Sequence, residues 1–110
     1  MNASNREKKF TLFWKALNGP ELKPEVRVIP TRRWRFDFAH EPTRIAFEIE
    51  GGVWSGGRHT RGLGYSADCE KYNEAALAGW TVFRLTGDMI AIPTIERLVK
   101  HVRLRALQLS

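Results

Sequence analysis

The stretch FDFAHEPTRIAFEIEGG, residues 36–52, decides the fold because it has the pattern of two strands joined by a turn. Side chains alternate with the period of two that is typical of strands from Trp34 to Phe38 and again from Arg44 to Glu50. His40–Thr43 contains a proline and supplies the turn between them. Three acidic residues stand within these strands, where a sheet normally buries apolar side chains: Asp37, Glu48 and Glu50.

Strand geometry predicts that the three acids share one face, because successive side chains point to opposite sides of a sheet. Asp37 should face away from Phe36 and Phe38, while Glu48 and Glu50 should face away from the apolar residues that alternate with them. A hairpin symmetric about its turn would place Asp37 directly opposite Glu48, with their Cβ atoms roughly 5 Å apart.

Carboxylates this close repel one another and raise one another's pKa unless something neutralises them. One interpretation is a solvated face on which Arg35 and Arg44 pair with the acids. The other is a divalent cation, Mg²⁺ or Mn²⁺, which prefers carboxylate oxygens. Ala39 and Ala46 stand beside the acids and favour a closely packed floor, and therefore the metal site.

The composition predicts one domain spanning residues 1–110, with a nucleic acid as the first candidate partner. The chain has 18 Lys+Arg against 12 Asp+Glu, a net charge of +6, and a basic domain suits a polyanion. Cys69 is the single cysteine and is expected to be a small buried residue. A signal peptide and an apolar run of membrane-spanning length are both missing from the sequence, which predicts a cytoplasmic protein without a membrane partner.

The rest of the chain predicts an α/β domain in the order α-β-β-α-β-α. Residues 21–34 contain two prolines and are expected to be loop-like. Residues 51–65 contain six glycines and form a long loop of the kind that is often functional. The remaining predicted elements are a helix over Glu7–Leu17, a helix capped by Ser66 and running to Ala78 before Gly79, a strand over Trp80–Thr86 and a last helix from about Pro93.

Asp37 followed by Glu48-Ile49-Glu50 resembles the core of the PD-(D/E)XK nuclease superfamily. There an acid on one strand, and an acid-x-lysine on the next, hold Mg²⁺ and activate water. The resemblance implies a restriction-endonuclease-like mixed sheet flanked by helices. The chain departs from the motif at Glu50, which replaces the lysine, as in the E-x-E variant found in some restriction endonucleases of the superfamily.

The sequence from residue 47 to residue 86 is similar to the very-short-patch-repair endonuclease type and to small phage and prophage nucleases. The positions that carry this similarity are Glu48, Glu50, Gly51, His59, Asp68, Gly79, Trp80, Val82 and Arg84. The resemblance implies that Asp37 and Glu48 are metal ligands, and that Glu50 is a third ligand or orients the nucleophilic water. It also implies a phage or prophage origin.

Two further residues are candidates for catalysis. His59 lies in the glycine-rich loop, where it could act as a general base, a metal ligand or a phosphate contact, or be an exposed loop histidine. Lys71 lies on the helix after the loop and could replace the missing motif lysine, or be an ordinary exposed lysine. Glu21 is a poor match to the acid that many relatives carry near the first helix, and an exposed side chain is expected there.

Arginines next to aromatic residues or glycines are suited to bind phosphates bidentately. The predicted nucleic-acid-binding residues are Arg32, Arg33, Arg35, Arg58, Arg61 and Arg84. The expected function is metal-dependent endonucleolytic hydrolysis of DNA in repair, recombination or restriction. A non-catalytic nucleic-acid-binding module on the same scaffold and a structural phage protein remain alternatives, and the small size suits a homodimer.

Overall fold

A four-stranded mixed sheet, flanked by three helices, organises the chain in the computed structural model, which describes residues 4–51 and 63–110. The helices are α1 (Asn5–Ala16), α2 (Leu63–Leu77) and α3 (Ile92–Leu109), and the strands are β1 (Lys23–Val26), β2 (Phe36–His40), β3 (Ile45–Ile49) and β4 (Thr81–Leu85). The strands lie in the order β1-β2-β3-β4. β2 is antiparallel to β1 and β3, whereas β4 is parallel to β3.

The predicted mixed α/β character is confirmed, but the predicted order of elements is wrong because it lacks β1. The observed order is α-β-β-β-α-β-α. Pro24 suggested a loop, yet it pairs with Phe38 on an edge strand. An edge strand tolerates proline because the missing N–H can face away from the sheet.

The register of the β2–β3 hairpin is the predicted one. Phe38 pairs with Phe47 and His40 with Ile45, so the same register places Asp37 opposite Glu48. The connection is a single 3₁₀ turn over Glu41–Thr43, followed by Arg44 in the left-handed conformation at φ 55°. This four-residue connection gives the two strands the same pairing register as the simpler turn expected from sequence.

One face of the sheet packs against α1 and α3. Phe10 and Trp14 from α1 meet Phe47 of β3 at ring-centroid distances of 5.5 and 5.2 Å. Ile95 and Val102 of α3 are fully buried in the same cluster. The apolar positions of both helices recur at helical spacing, so each helix turns one continuous stripe toward the sheet.

The opposite face of the sheet carries small residues that let α2 approach closely. Ala39 and Ala46 pair across the hairpin, and Ala75 of α2 packs against them. The closely packed floor predicted from the two alanines is therefore confirmed. Phe36 is an exception to the predicted alternation: it joins this second cluster instead of lying with Phe38.

The predicted ends of α2 are correct at one end and wrong at the other. Gly79 follows the helix at φ 88°, the left-handed conformation expected beyond a helix C-terminus. Ser66 is not the N-cap, because the helix already includes Leu63. Cap preference amounts to only about 1 kcal/mol and does not exclude serine from a first turn. Cys69 is exposed on this helix, contrary to its predicted burial.

Within the described ranges, no helix is long and apolar enough to span a bilayer.

Candidate active site

Asp37 and Glu48 contact each other where the backbone pairing between β2 and β3 gives way to side-chain contacts. The backbone pair of the hairpin that lies farthest from the turn is Phe38 with Phe47. Beyond it, the Asp37 N–H donates to Oε1 of Glu48 at 3.3 Å, and the Ile49 N–H donates to Oδ2 of Asp37 at 2.7 Å. Each carboxylate therefore accepts a hydrogen bond from a backbone N–H of the opposite strand, and these bonds hold the two side chains in place.

Lys71 reaches this pair from α2. Its Nζ donates to Oε2 of Glu48 at 2.5 Å and to the carbonyl of Arg35 at 2.9 Å. The side chains of Lys71 and Glu48 are only 15% and 12% exposed, so the ion pair is largely withdrawn from solvent. The expectation that Lys71 points back toward the acids is confirmed, because the alanine floor brings this helix close to the sheet.

Glu50 joins the site through Tyr72 and Arg84. The Tyr72 hydroxyl donates long hydrogen bonds of 3.4 Å to Oε2 of both Glu48 and Glu50. Arg84 Nε donates to Oε2 of Glu50 at 2.9 Å, and its guanidinium lies 4.2 Å from the centre of the Tyr72 ring. Burial, reinforced by the two glutamates, raises the pKa of Tyr72, so the hydroxyl remains a donor to both.

The environment of Glu48 moves its pKa upward toward neutrality. Burial raises the pKa of Glu48 to about 7, the Lys71 ammonium opposes this shift, and the neighbouring Asp37 carboxylate adds to it. A carboxyl poised near neutrality can exchange a proton at physiological pH, which is unusual outside functional sites. Glu48 is therefore a candidate for a functional titratable group.

The donor chemistry of the pair suits a hard divalent cation. Carboxylate oxygens are the ligands that Mg²⁺ and Mn²⁺ prefer. Over residues 4–51 and 63–110, however, no three His, Cys, Asp or Glu side chains are gathered as a metal-binding group. Instead, Lys71 and Arg84 neutralise Glu48 and Glu50. A cation held by Asp37, Glu48 and Glu50 would have to displace one or both of these ion pairs.

Glu7 is an acid near the site that was not identified from sequence. Burial and the nearby Asp37 carboxylate raise the pKa of Glu7, with Glu25 contributing as well. A glutamate in the first turn of a helix, with its N–H capped by Ser4 at 3.0 Å, is typical of helix stabilisation. Its proximity to Asp37 depends on how α1 packs on the sheet. Glu21, by contrast, is exposed, as expected.

Three of the arginines expected to bind phosphate are held in ion pairs. The partners and N–O distances are Arg32 with Glu70 at 2.5 Å, Arg35 with Glu25 at 3.7 Å and Arg84 with Glu50 at 2.9 Å. Arg33 is exposed. The predictions for Arg58, His59 and Arg61 fall outside the described residues.

Comparisons with protein-family models, with curated proteins and with solved structures found no significant match.

Proposed function

We propose that this protein is a metal-dependent DNA endonuclease of the PD-(D/E)XK type. The observation that carries the proposal is the contact of buried Glu48 with both Asp37 and Lys71. An acid pair on adjacent strands with a lysine at the second acid is the set of groups that the resemblance implies. Here the lysine comes from α2 instead of from the position of Glu50.

Each residue has a proposed role that follows from its contacts. Asp37 and Glu48 would hold Mg²⁺ or Mn²⁺, which when bound polarises the scissile phosphate and lowers the pKa of an attacking water. Lys71 provides N–H donors next to Glu48. Glu50, which accepts a hydrogen bond from Tyr72, would orient the attacking water. His59 remains a candidate base from sequence alone. The net charge of +6 favours a polyanionic substrate.

A non-catalytic DNA-binding module is the second candidate, favoured by one observation. Glu48 and Glu50 are already neutralised by Lys71 and Arg84. A site that is balanced internally needs no metal to relieve repulsion. The two functions differ in whether metal-dependent cleavage occurs.

The test is a cleavage assay on plasmid, linear duplex and branched DNA, with Mg²⁺, with Mn²⁺ and with EDTA. We expect cleavage only with metal, and a loss of about a hundredfold or more in Asp37→Ala and Glu48→Ala, because a metal ligand is removed. Glu96→Ala removes an exposed acid from α3 and should cleave like the wild type. Circular dichroism checks that each variant is folded.

DNA binding without cleavage in the presence of either metal would support the binding module instead. Cleavage retained in folded Asp37→Ala and Glu48→Ala would contradict the proposed site.

A further inference from the structure

Arg6 lies at the carboxyl ends of the two parallel strands. A β-carbon added to Gly51 would stand 3.4 Å from Nη1 of Arg6, and one added to Gly87 would stand 3.2 Å from its Nε. Gly51 directly follows Glu50 beyond β3, and Gly87 follows β4. The Arg6 side chain therefore lies beside the ends of both strands, and Gly51 is the next residue along the chain after Glu50.

Arg6 is exposed, and the absence of side chains at Gly51 and Gly87 leaves space beside its guanidinium. At Gly87 a β-carbon would stand closer to Arg6 than most such contacts, so an alanine there would require the arginine side chain to move by a few tenths of an ångström. Ligands of α/β sheets commonly bind outside the carboxyl ends of parallel strands. Arg6 thus stands where a substrate crossing this edge would pass.

The positive charge of Arg6 is not neutralised by an ion pair within the described residues. In the part of the chain that the structure describes, no carboxylate lies within ion-pair distance of Arg6. A cation in the first turn of a helix is also unfavourable, because the helix dipole is positive at that end. Burial and the charge of the Asp37 carboxylate raise the pKa of its neighbour Glu7, so the first turn of α1 lies within electrostatic range of Asp37.

We propose that Arg6 binds a phosphodiester group of DNA beside the Asp37–Glu48 pair. A guanidinium is suited to this role because its planar donors match two phosphate oxygens. Its positive charge would offset the repulsion between the site carboxylates and the phosphates of the nucleic acid. The inference rests on the proposed function, since it assigns a substrate contact to the same site.

The first test is fluorescence anisotropy of a labelled DNA duplex in EDTA, over a range of salt concentrations. We expect Arg6→Gln to weaken binding roughly three- to tenfold and to lower the slope of log K against log salt by about one, because one phosphate contact is lost. Lys8→Gln removes the same charge from an exposed position of the same helix and should leave the slope unchanged.

Gly87→Ala separates the position of Arg6 from its charge. This substitution keeps the net charge and requires the flexible arginine side chain to move by only a few tenths of an ångström, so it should weaken binding much less than Arg6→Gln does. A loss of affinity as large as that of Arg6→Gln would contradict a contact made by the charge of Arg6. Arg6→Lys keeps the charge without the planar donors and should fall between the wild type and Arg6→Gln.

The inference and the proposed function fail in different ways. If the wild type cleaves DNA with metal but Arg6→Gln binds like Lys8→Gln, the nuclease stands and the Arg6 contact is overturned. If no metal supports cleavage but Arg6→Gln alone loses affinity, the phosphate contact stands and the nuclease is overturned. A wild type that does not bind DNA overturns both.

Discussion

Glu48 shows how strongly one residue depends on its surroundings. Its carboxyl is buried against Asp37 and Tyr72 and is bonded to Lys71, and burial raises the pKa to about 7. In the unfolded chain the same carboxyl titrates near its ordinary value of 4.5. The folded protein therefore holds this proton more tightly than the unfolded chain does.

This difference predicts a dependence of stability on pH. Between the ordinary value of 4.5 and about 7, the folded state binds more protons at Glu48. The contribution of this carboxyl therefore stabilises the fold at low pH and is lost as pH rises through that window. We expect Glu48→Gln to gain, relative to the wild type, on the order of 2 kcal/mol of unfolding free energy between about pH 5 and about pH 8.

The measurement is urea unfolding in EDTA at several pH values. Glu96→Gln, which alters an exposed glutamate on α3, should follow the wild type at every pH. Parallel pH profiles for the wild type and Glu48→Gln would show that Glu48 has an ordinary pKa.

At the scale of elements, the end of α1 depends on one glycine. Asn18 adopts a left-handed conformation at φ 56° after the helix. Trp14 Nε1 then donates to the Pro20 carbonyl at 2.7 Å, and a β-carbon at Gly19 would overlap the indole ring. The indole and the chain reversal can coexist only when residue 19 has no side chain.

We therefore expect Gly19→Ala to lower the free energy of unfolding by about 1–3 kcal/mol, because the indole must leave its position in the core. Gly64→Ala, in the first turn of α2 with open space around it, should instead raise this free energy slightly, by up to about 0.5 kcal/mol, through helix propensity. Urea midpoints compare the two alanines directly. Equal midpoints for the two variants would contradict the steric explanation.

For the whole molecule, the two faces of the sheet separate the basic last helix from the site. α3 packs against the face that carries Phe47, whereas α2 covers the alanine face and brings Lys71 to Glu48. Basic residues on α3 are exposed, but they lie across the sheet from this ion pair. DNA bound at the acids should therefore not require them.

Two double variants with the same change in charge test this arrangement. Arg97→Gln/Lys100→Gln should bind duplex DNA within about twofold of the wild type, because long-range effects of exposed charges are screened by salt. Arg33→Gln/Arg35→Gln should bind more weakly and with a smaller salt slope, because these exposed arginines directly precede β2, the strand that carries Asp37. Anisotropy titrations measure both, and the reverse order would place DNA along α3.

Much of the site's position follows from the sequence because strand rules act over short distances. The alternation around Asp37 and Glu48 and the short turn were enough to predict that the two acids stand opposite each other. The same local rules predicted where α1 ends and that Gly79 follows α2. They failed for β1, since an edge position that tolerates Pro24 is a property of the sheet as a whole.

The sequence by itself determined the strand register and the clustering of acids, since both depend on residues within one hairpin. Only the tertiary structure decided which basic side chains pair with the acids, because Lys71 is 23 residues from Glu48 and Arg84 is 34 residues from Glu50. The Lys71 contact exists because α2 packs on alanines small enough to let it approach, and the Arg84 contact exists because β4 pairs with β3. Helix-to-sheet distance is set by side-chain packing across the core, which no local pattern specifies.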